Sequence, residues 1–348
     1  NYAYGTFMVE SKEELDGTLI GEITTEPAYS YKGEEVSIAE IDALYEAKLE
    51  GVYPTLETNP VNKIDNITYH GTRKAHADKS YDTVKVLIPV FPGTNCEFDS
   101  AKVMRDAGAE VKIFVINNLD TEHINKSVKE FANEIKDSQI IFIPGGFSGG
   151  DEPDGSAKFI TSFFRNEEIK KEVTALLDER EGLMLGICNG FQALVKLGLV
   201  PYGRIMDTDE HCPTLTFNTI ARHQSKIVRT RICSDKSPWL ANTKVGEVYN
   251  VAISHGEGRF IGEENLIKDL IKNGQVITQY VDLEGNATDD IRYNPNNSTY
   301  AIEGITSSDG RVLGKMGHSE RIGNGLYKNV YGEYDLEMFK AAVAYFKK

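Results

Sequence analysis

Apolar residues recur along this chain with changing periods, and the changes divide it. Residues 1–54 form a short mixed segment with one helical signature over 37–49. There Ile38, Ile41, Leu44, Tyr45 and Leu49 return at three- and four-residue intervals. Ser37 is placed to cap that helix, with Glu40 in the capping-box position. From 55 to 82 the period vanishes into polar stretches such as T-R-K-A-H-A-D-K-S, which read as a linker or a wrapped surface segment. From 83 to 348 strand patterns alternate with helical ones. V-K-V-L-I-P-V (84–90) is a continuous apolar run, as in a strand buried on both faces. A helix is predicted over 100–107, a strand over 111–115, a helix near 128–135 and a strand over 140–143. Helical residues over 157–177 precede the strand L-M-L-G-I and a helix over 190–197. This order predicts an α/β fold with a doubly wound, mostly parallel sheet and a small N-terminal appendage. Shorter strands at 227–232, 251–254, 276–281, 300–305 and 312–316 would extend or cover the sheet. An amphipathic helix over 334–346 closes the chain.

Composition narrows the partners. At 348 residues the chain suits one large domain plus an appendage, and its 40% hydrophobic share supplies a full core. A formal charge of −15 without any basic cluster opposes binding to nucleic acid or to anionic membrane surfaces. There is no apolar run long enough to span a bilayer and no signal peptide. The four cysteines (Cys96, Cys188, Cys212 and Cys233) lack framework spacing, which predicts free thiols in a reducing, cytoplasmic setting. The opening N-Y-A-Y-G-T-F-M-V-E, without a Met, reads as the middle of a folded unit, hence a piece of a longer polypeptide.

The sharpest chemical signal is G-L-M-L-G-I-C-N-G-F-Q, residues 182–192. An apolar strand enters a Gly-x-Cys-x-Gly turn and a helix follows at once. That is a nucleophile elbow with Cys188 in the place of serine, where Gly186 and Gly190 leave room for the turn. The helix N-terminus behind the thiol favours its nucleophilic form. A base is offered by K-M-G-H-S-E-R: His318 and Glu320 are two residues apart, so in extended chain both leave one face. Glu320 could then orient the imidazole while His318 moves the proton. The Gly-rich loop 145–151, in I-P-G-G-F-S-G-G-D, follows a predicted strand and could turn backbone N–H groups on an oxyanion, joined by the N–H of Asn189. It lacks the Gly-Lys-Ser/Thr ending of a phosphate loop. Cys96, in P-G-T-N-C-E, is placed near a helix start, whereas Cys212 and Cys233 have no comparable frame.

G-I-C-N-G-F-Q, P-G-G-F-S-G-G-D, I-S-H-G-E-G-R-F and G-H-S-E-R together resemble a class I glutamine amidotransferase. Within that class they are similar to the phosphoribosylformylglycinamidine synthase family, as are V-F-P-G-T-N-C-E-F-D and N-P-N-N-S-T-Y-A-I-E-G-I-T-S-S-D-G-R-V. The resemblance runs from about 84 to 346 and implies the flavodoxin-like fold of the class. E-I-T-T-E-P-A-Y-S-Y-K-G-E-E and L-E-G-V-Y-P-T in turn resemble the tail of the synthetase half of the single-chain form. What the resemblance implies residue by residue is Cys188 as nucleophile, His318 as base and Glu320 as its orienter. Gly146 and Asn189 would donate to the oxyanion, and Gln192, His255 and Gly256 would line the site of the substrate glutamine. Ammonia would pass to a synthetase domain of the same polypeptide, where ATP and magnesium belong, with no cofactor in residues 1–348. One departure is Gly149, where many relatives of this family carry an aromatic residue.

Two other classes share some of these features. A cysteine peptidase-like hydrolase would use the same elbow, but H-x-E at the far end and S-H-G-E-G-R favour the amidotransferase. A non-catalytic docking domain would keep the fold, and the intact Cys188, His318 and Glu320 speak against it. His211, Cys212, His223 and Cys233 fit no ligand spacing, so no metal site is predicted. Trp239 reads as a packing residue in a loop. The basic segment 221–231 reads as an exposed strand face, with contact to an acidic partner surface as the alternative.

Overall fold

The computed structural model describes residues 4–52, 59–147 and 157–347. Its contacts fall into two units, Asn1–Glu57 and Thr58–Lys348. In the first, β1 (Ala28–Tyr31) and β2 (Glu34–Ser37) form an antiparallel hairpin. Lys32 and Gly33, both at positive φ, make its two-residue turn, the geometry that matches strand twist. Helix α1 (Ile38–Glu50) follows, and Ser37 accepts a hydrogen bond from the Glu40 N–H at 3.1 Å as its cap. None of the residues of α1 is buried within this unit.

The second unit runs β3 (Lys85–Val90), α2 (Glu97–Asp106), β4 (Glu110–Val115), α3 (Thr121–Asp137), β5 (Ile140–Ile143), α4 (Lys158–Phe164), α5 (Glu167–Asp178), β6 (Leu183–Ile187) and α6 (Asn189–Lys196). It continues with the short turn α7 (Leu199–Tyr202), β7 (Thr214–Thr216), β8 (Gln224–Ile232), β9 (Val248–His255), β10 (Arg259–Ile261), α8 (Glu264–Lys272), β11 (Val276–Val281), β12 (Ile302–Thr306), β13 (Val312–Lys315) and α9 (Met338–Tyr345). Nine strands form one sheet in the order β4-β3-β5-β6-β13-β12-β11-β8-β9. The first five are mutually parallel, and from β12 onward each neighbour is antiparallel. The α/β architecture is therefore as expected, with a mixed, largely parallel sheet flanked by helices. β7 and β10 pair in a small separate sheet that the periodicity does not reveal.

Local chemistry moved several boundaries. α3 begins well before 128 because Asp120 caps it, accepting from the His123 N–H at 3.0 Å. The predicted helical stretch 157–177 is two helices, and Asn166 caps the second. The last helix starts at Met338, after Glu337 takes a left-handed conformation.

The polar stretch 59–82 is laid along the second unit by backbone hydrogen bonds. Tyr69 N–H donates to the Cys233 carbonyl (2.8 Å), Ala77 to Tyr345 (2.9 Å) and Tyr81 to Phe346 (2.9 Å). Ile67 is buried, and its N–H donates to Gln279 Oε1 at 2.8 Å. Among the described residues no helix is long and apolar enough to cross a membrane.

Strand neighbours place the site. β6 lies between β5 and β13, parallel to both, with Ile143 opposite Gly186 and Lys315 opposite Ile187. The loops leaving the carboxyl ends of β5, β6 and β13 therefore emerge side by side. They carry Gly145 and Gly146, then Cys188, then His318 and Glu320.

Candidate active site

Cys188 sits between β6 and α6 at φ 53° and ψ −107°, a left-handed backbone that an L-residue adopts only when its surroundings enforce it. Two close approaches do so. A Cβ on Gly186 would lie 2.5 Å from the Gly190 carbonyl oxygen, and one on Gly190 would lie 2.0 Å from that of Ile143. Main-chain bonds hold the elbow on both sides: Cys188 N–H donates to the Lys315 carbonyl (2.9 Å) and Gln192 N–H to the Cys188 carbonyl (3.0 Å). The Sγ lies 3.7 Å from the Ser254 carbonyl oxygen.

His318 and Glu320 are both buried, with Nδ1 of the ring 2.6 Å from Oε1 of the carboxylate. Burial of the imidazole opposes its charged form. The Glu320 charge, together with hydrogen bonds to Cys188, Cys96 and Glu320, outweighs that and holds the His318 pKa well above its ordinary value. The second carboxylate oxygen, Oε2, makes no hydrogen bond, so the imidazole is Glu320's only side-chain partner among the described residues.

The glycine loop reaches the same point. A Cβ on Gly145 would stand 2.8 Å from Cε1 of His318, 3.2 Å from Sγ of Cys96 and 3.4 Å from Cβ of Cys188, so only glycine fits. Gly146 pairs with Thr94 in an antiparallel bridge whose bonds come from the neighbours: Asn95 N–H to the Gly145 carbonyl (3.3 Å) and Phe147 N–H to that of Gly93 (2.8 Å). The pairing therefore leaves the Gly146 N–H outside the ladder. Gly149 and Gly150 lie outside the described residues.

On the far side of the thiol, Gln192 Nε2 donates to the Glu257 carbonyl at 2.6 Å, and Asn189 Nδ2 donates to Gln192 Oε1 at 2.9 Å. These bonds tie α6 to the turn that carries His255 and Gly256. His255 is fully buried, and its Nε2 has no partner. Burial first, and then the charges of His318 and His223, push its pKa down to about 3. It is therefore a neutral ring, one residue beyond the Ser254 carbonyl that faces the thiol, and is unsuited to the role of a cationic acid.

Residues 83–346 match the family of CobB/CobQ-like glutamine amidotransferase domains. The chain belongs to this family. Phosphoribosylformylglycinamidine synthase subunit PurQ of Methanococcus maripaludis strain C5 is 33% identical over 287 residues, covering 76% of this chain and 99% of that protein. The PurQ subunit of Pyrococcus horikoshii is 30% identical over 265 residues, with 76% and 100% covered. Among solved structures, PurLQS from Thermotoga maritima aligns with a TM-score of 0.54 at 25% identity, over 76% of this chain and 100% of that one. The protein is a glutamine amidotransferase, an enzyme of the phosphoribosylformylglycinamidine synthase group.

Several residues of this amidotransferase site carried little signal in the sequence. Cys96 stands immediately before α2, at a helix start as its position suggested, and makes no side-chain cap bond there; its Sγ lies 3.9 Å from His318 Nδ1 and accepts from Arg321 Nη2 at 3.2 Å. Asn218 organises the His255 turn: its Nδ2 donates to the His255 carbonyl (2.8 Å), its Oδ1 accepts from the Gly258 N–H (3.2 Å), and its own N–H donates to the Gly256 carbonyl (2.9 Å). The residues weighed as zinc ligands go separate ways. His211 meets Glu263, His223 meets Ser254, and Cys212 and Cys233 bond to Tyr202 and Gln279. The potential ligand atoms of Cys96, His318 and Glu320 do lie within 4.8 Å of one another. There the Arg321 guanidinium sets a positive charge against the sulfur, an arrangement that opposes a cation. Trp239 is fully buried, with Nε1 donating to the Arg311 carbonyl at 3.0 Å. In the basic strand β8, Arg231 is half-buried and donates to the Ile67 carbonyl at 2.7 Å, so its charge is used inside this unit.

Proposed function

We propose that this enzyme is the glutaminase part of a phosphoribosylformylglycinamidine synthase, working through a Cys188–His318–Glu320 triad. The observation that carries the reading is the meeting of the elbow thiol with the buried His318–Glu320 pair at the ends of neighbouring parallel strands. The PurQ names of the relatives supply the pathway. In this mechanism the Cys188 sulfur attacks the carboxamide carbon of glutamine, and the N–H groups of Gly146 and Asn189 receive the oxyanion. His318, kept readily protonated by Glu320, gives a proton to the departing nitrogen. Ammonia leaves and a glutamyl thioester remains. Water, deprotonated by His318, then releases glutamate and restores the thiol. Gln192 holds the elbow to the His255–Gly256 turn, which lines the glutamine pocket.

The ammonia serves a synthetase domain carried on the same polypeptide, in the cytoplasm. There ATP with magnesium activates formylglycinamide ribonucleotide, which becomes the amidine. The likeness of the 1–54 segment to a synthetase tail supports the single-chain form. A direct test compares glutamate release and amidine formation by the complete enzyme and its Cys188→Ser variant. The variant should lose both with glutamine yet form amidine from added ammonium. Residues 1–348 alone should release glutamate slowly, and faster once joined to the synthetase with its nucleotides. A Cys188→Ser enzyme with undiminished glutaminase activity would sink the assignment.

A further inference from the structure

Beneath the catalytic loop lies a charge pair with no part in the reaction as proposed. Lys315, the last residue of β13, and Glu303, in β12, are each 1% exposed, and Nζ lies 3.2 Å from Oε1. Two charges so far from water are costly to bury, and apolar replacements of such a pair commonly leave a protein as stable or more so. Stability is therefore a poor account of it. The other bonds of the two side chains supply a better one. Glu303 Oε1 accepts the Gly317 N–H at 2.6 Å, and its Oε2 accepts from Thr278 Oγ1. Lys315 Nζ donates to Ser319 Oγ at 2.8 Å and to the Gly317 carbonyl at 3.3 Å.

Gly317 and Ser319 are the two residues on either side of His318. The pair thus grips the loop of the base from both directions, while the Lys315 carbonyl accepts the Cys188 N–H at 2.9 Å. The Glu303 carbonyl also takes the Met316 N–H, at 3.2 Å. One strand end therefore holds the backbone of the nucleophile and, through its side chain, the backbone of the base. We propose that the Lys315–Glu303 pair is the positioning clamp that sets His318 and Glu320 against Cys188. Proper placement of reacting groups is worth orders of magnitude in rate, so a small displacement of this loop is felt in turnover before it is felt in folding. The inference rests on the triad reading.

The test separates stability from turnover in the complete enzyme. Lys315→Met and Glu303→Met each strand a buried charge and should lower the melting temperature. The double variant removes both charges at similar volume and, although the Gly317 N–H and the Thr278 hydroxyl lose their acceptor, should recover much of the melting temperature that either single variant loses. Its kcat for glutamate release should nonetheless stay down by about tenfold or more with KM within about threefold, because Gly317 and Ser319 have lost their partners. Ser319→Ala strands no charge and gives an independent measure, expected to lower kcat with little change in melting. Glu303→Gln, which keeps an acceptor for the Gly317 N–H, should retain more turnover than Glu303→Met. A double variant that recovers this melting temperature and wild-type kcat together would overturn the clamp, as would an unaffected Ser319→Ala. Cys188→Ser in the same assay keeps the two ideas apart. If it is inactive, a failed clamp leaves the triad standing; if it is active, the triad falls and takes the clamp with it.

Discussion

The α-carbon of Gly190 approaches β5 so closely that a Cβ there would stand 2.0 Å from the carbonyl oxygen of Ile143. The elbow that presents Cys188 is thus wedged against the strand leading into the glycine loop. Gly190→Ala should push α6 away from β5, costing about 3 kcal/mol of stability by overpacking. Glutaminase activity should be lost under conditions where the variant is still folded. Denaturant unfolding and glutamate release, measured on the same preparation, check both effects.

Replacing the proposed triad should produce a graded series. Cys188→Ser should abolish glutamine-dependent turnover, and His318→Ala should cost about a thousandfold or more. Glu320→Ala should be milder, since the carboxylate orients and charges the ring without touching substrate. His255→Ala should act mainly on KM. Measuring kcat and KM for each variant tests the order, and a collapse of kcat for His255→Ala with His318→Ala unaffected would reverse the two histidines.

His255 should also report on acid stability. Its ring has a pKa near 3 in the fold against an ordinary value of 6.5, so as pH falls between these limits the unfolded chain takes up a proton that the folded chain refuses. The stabilising contribution is present above the ordinary value and declines at about 1.4 kcal/mol per pH unit on the way down. His255→Gln removes that decline. Urea midpoints at about pH 7 and about pH 5 should therefore fall less in the variant than in the wild type. Equal falls would show that the buried ring does not resist protonation.

The stretch 59–82 is expected to belong thermodynamically to the enzyme unit. A chain beginning at 59 keeps the bonds of Ile67, Tyr69, Ala77 and Tyr81 to β11, to the residue after β8 and to the end of the last helix, whereas one beginning at 83 loses all of them. At about 1 kcal/mol per bond, and with buried Gln279 left short of a partner, the shorter chain should be less stable by about 3 kcal/mol or more. Comparing denaturant midpoints of the two chains measures this, and coincident curves would make the stretch a mere tether.

Local physics determined much of this protein without any tertiary information. Apolar runs predicted the strands from 84 to 187, and a Gly-x-Cys-x-Gly turn between strand and helix marked Cys188 because the elbow's backbone admits little else. H-x-E after a strand marked His318 and Glu320, since residues two apart share a face in extended chain. Only the fold decided who their neighbours are. β13 follows β6 by more than a hundred residues, yet the two lie side by side because parallel strands pair across long connections whose partners no local period encodes. Cys96 touches Arg321 and His318 for the same reason, whereas Lys315 and Glu303 face each other across the antiparallel β12–β13 pair and owe their burial to the elements packed around it. In each case the burial that gives the thiol or the charge its meaning is created by the tertiary structure alone.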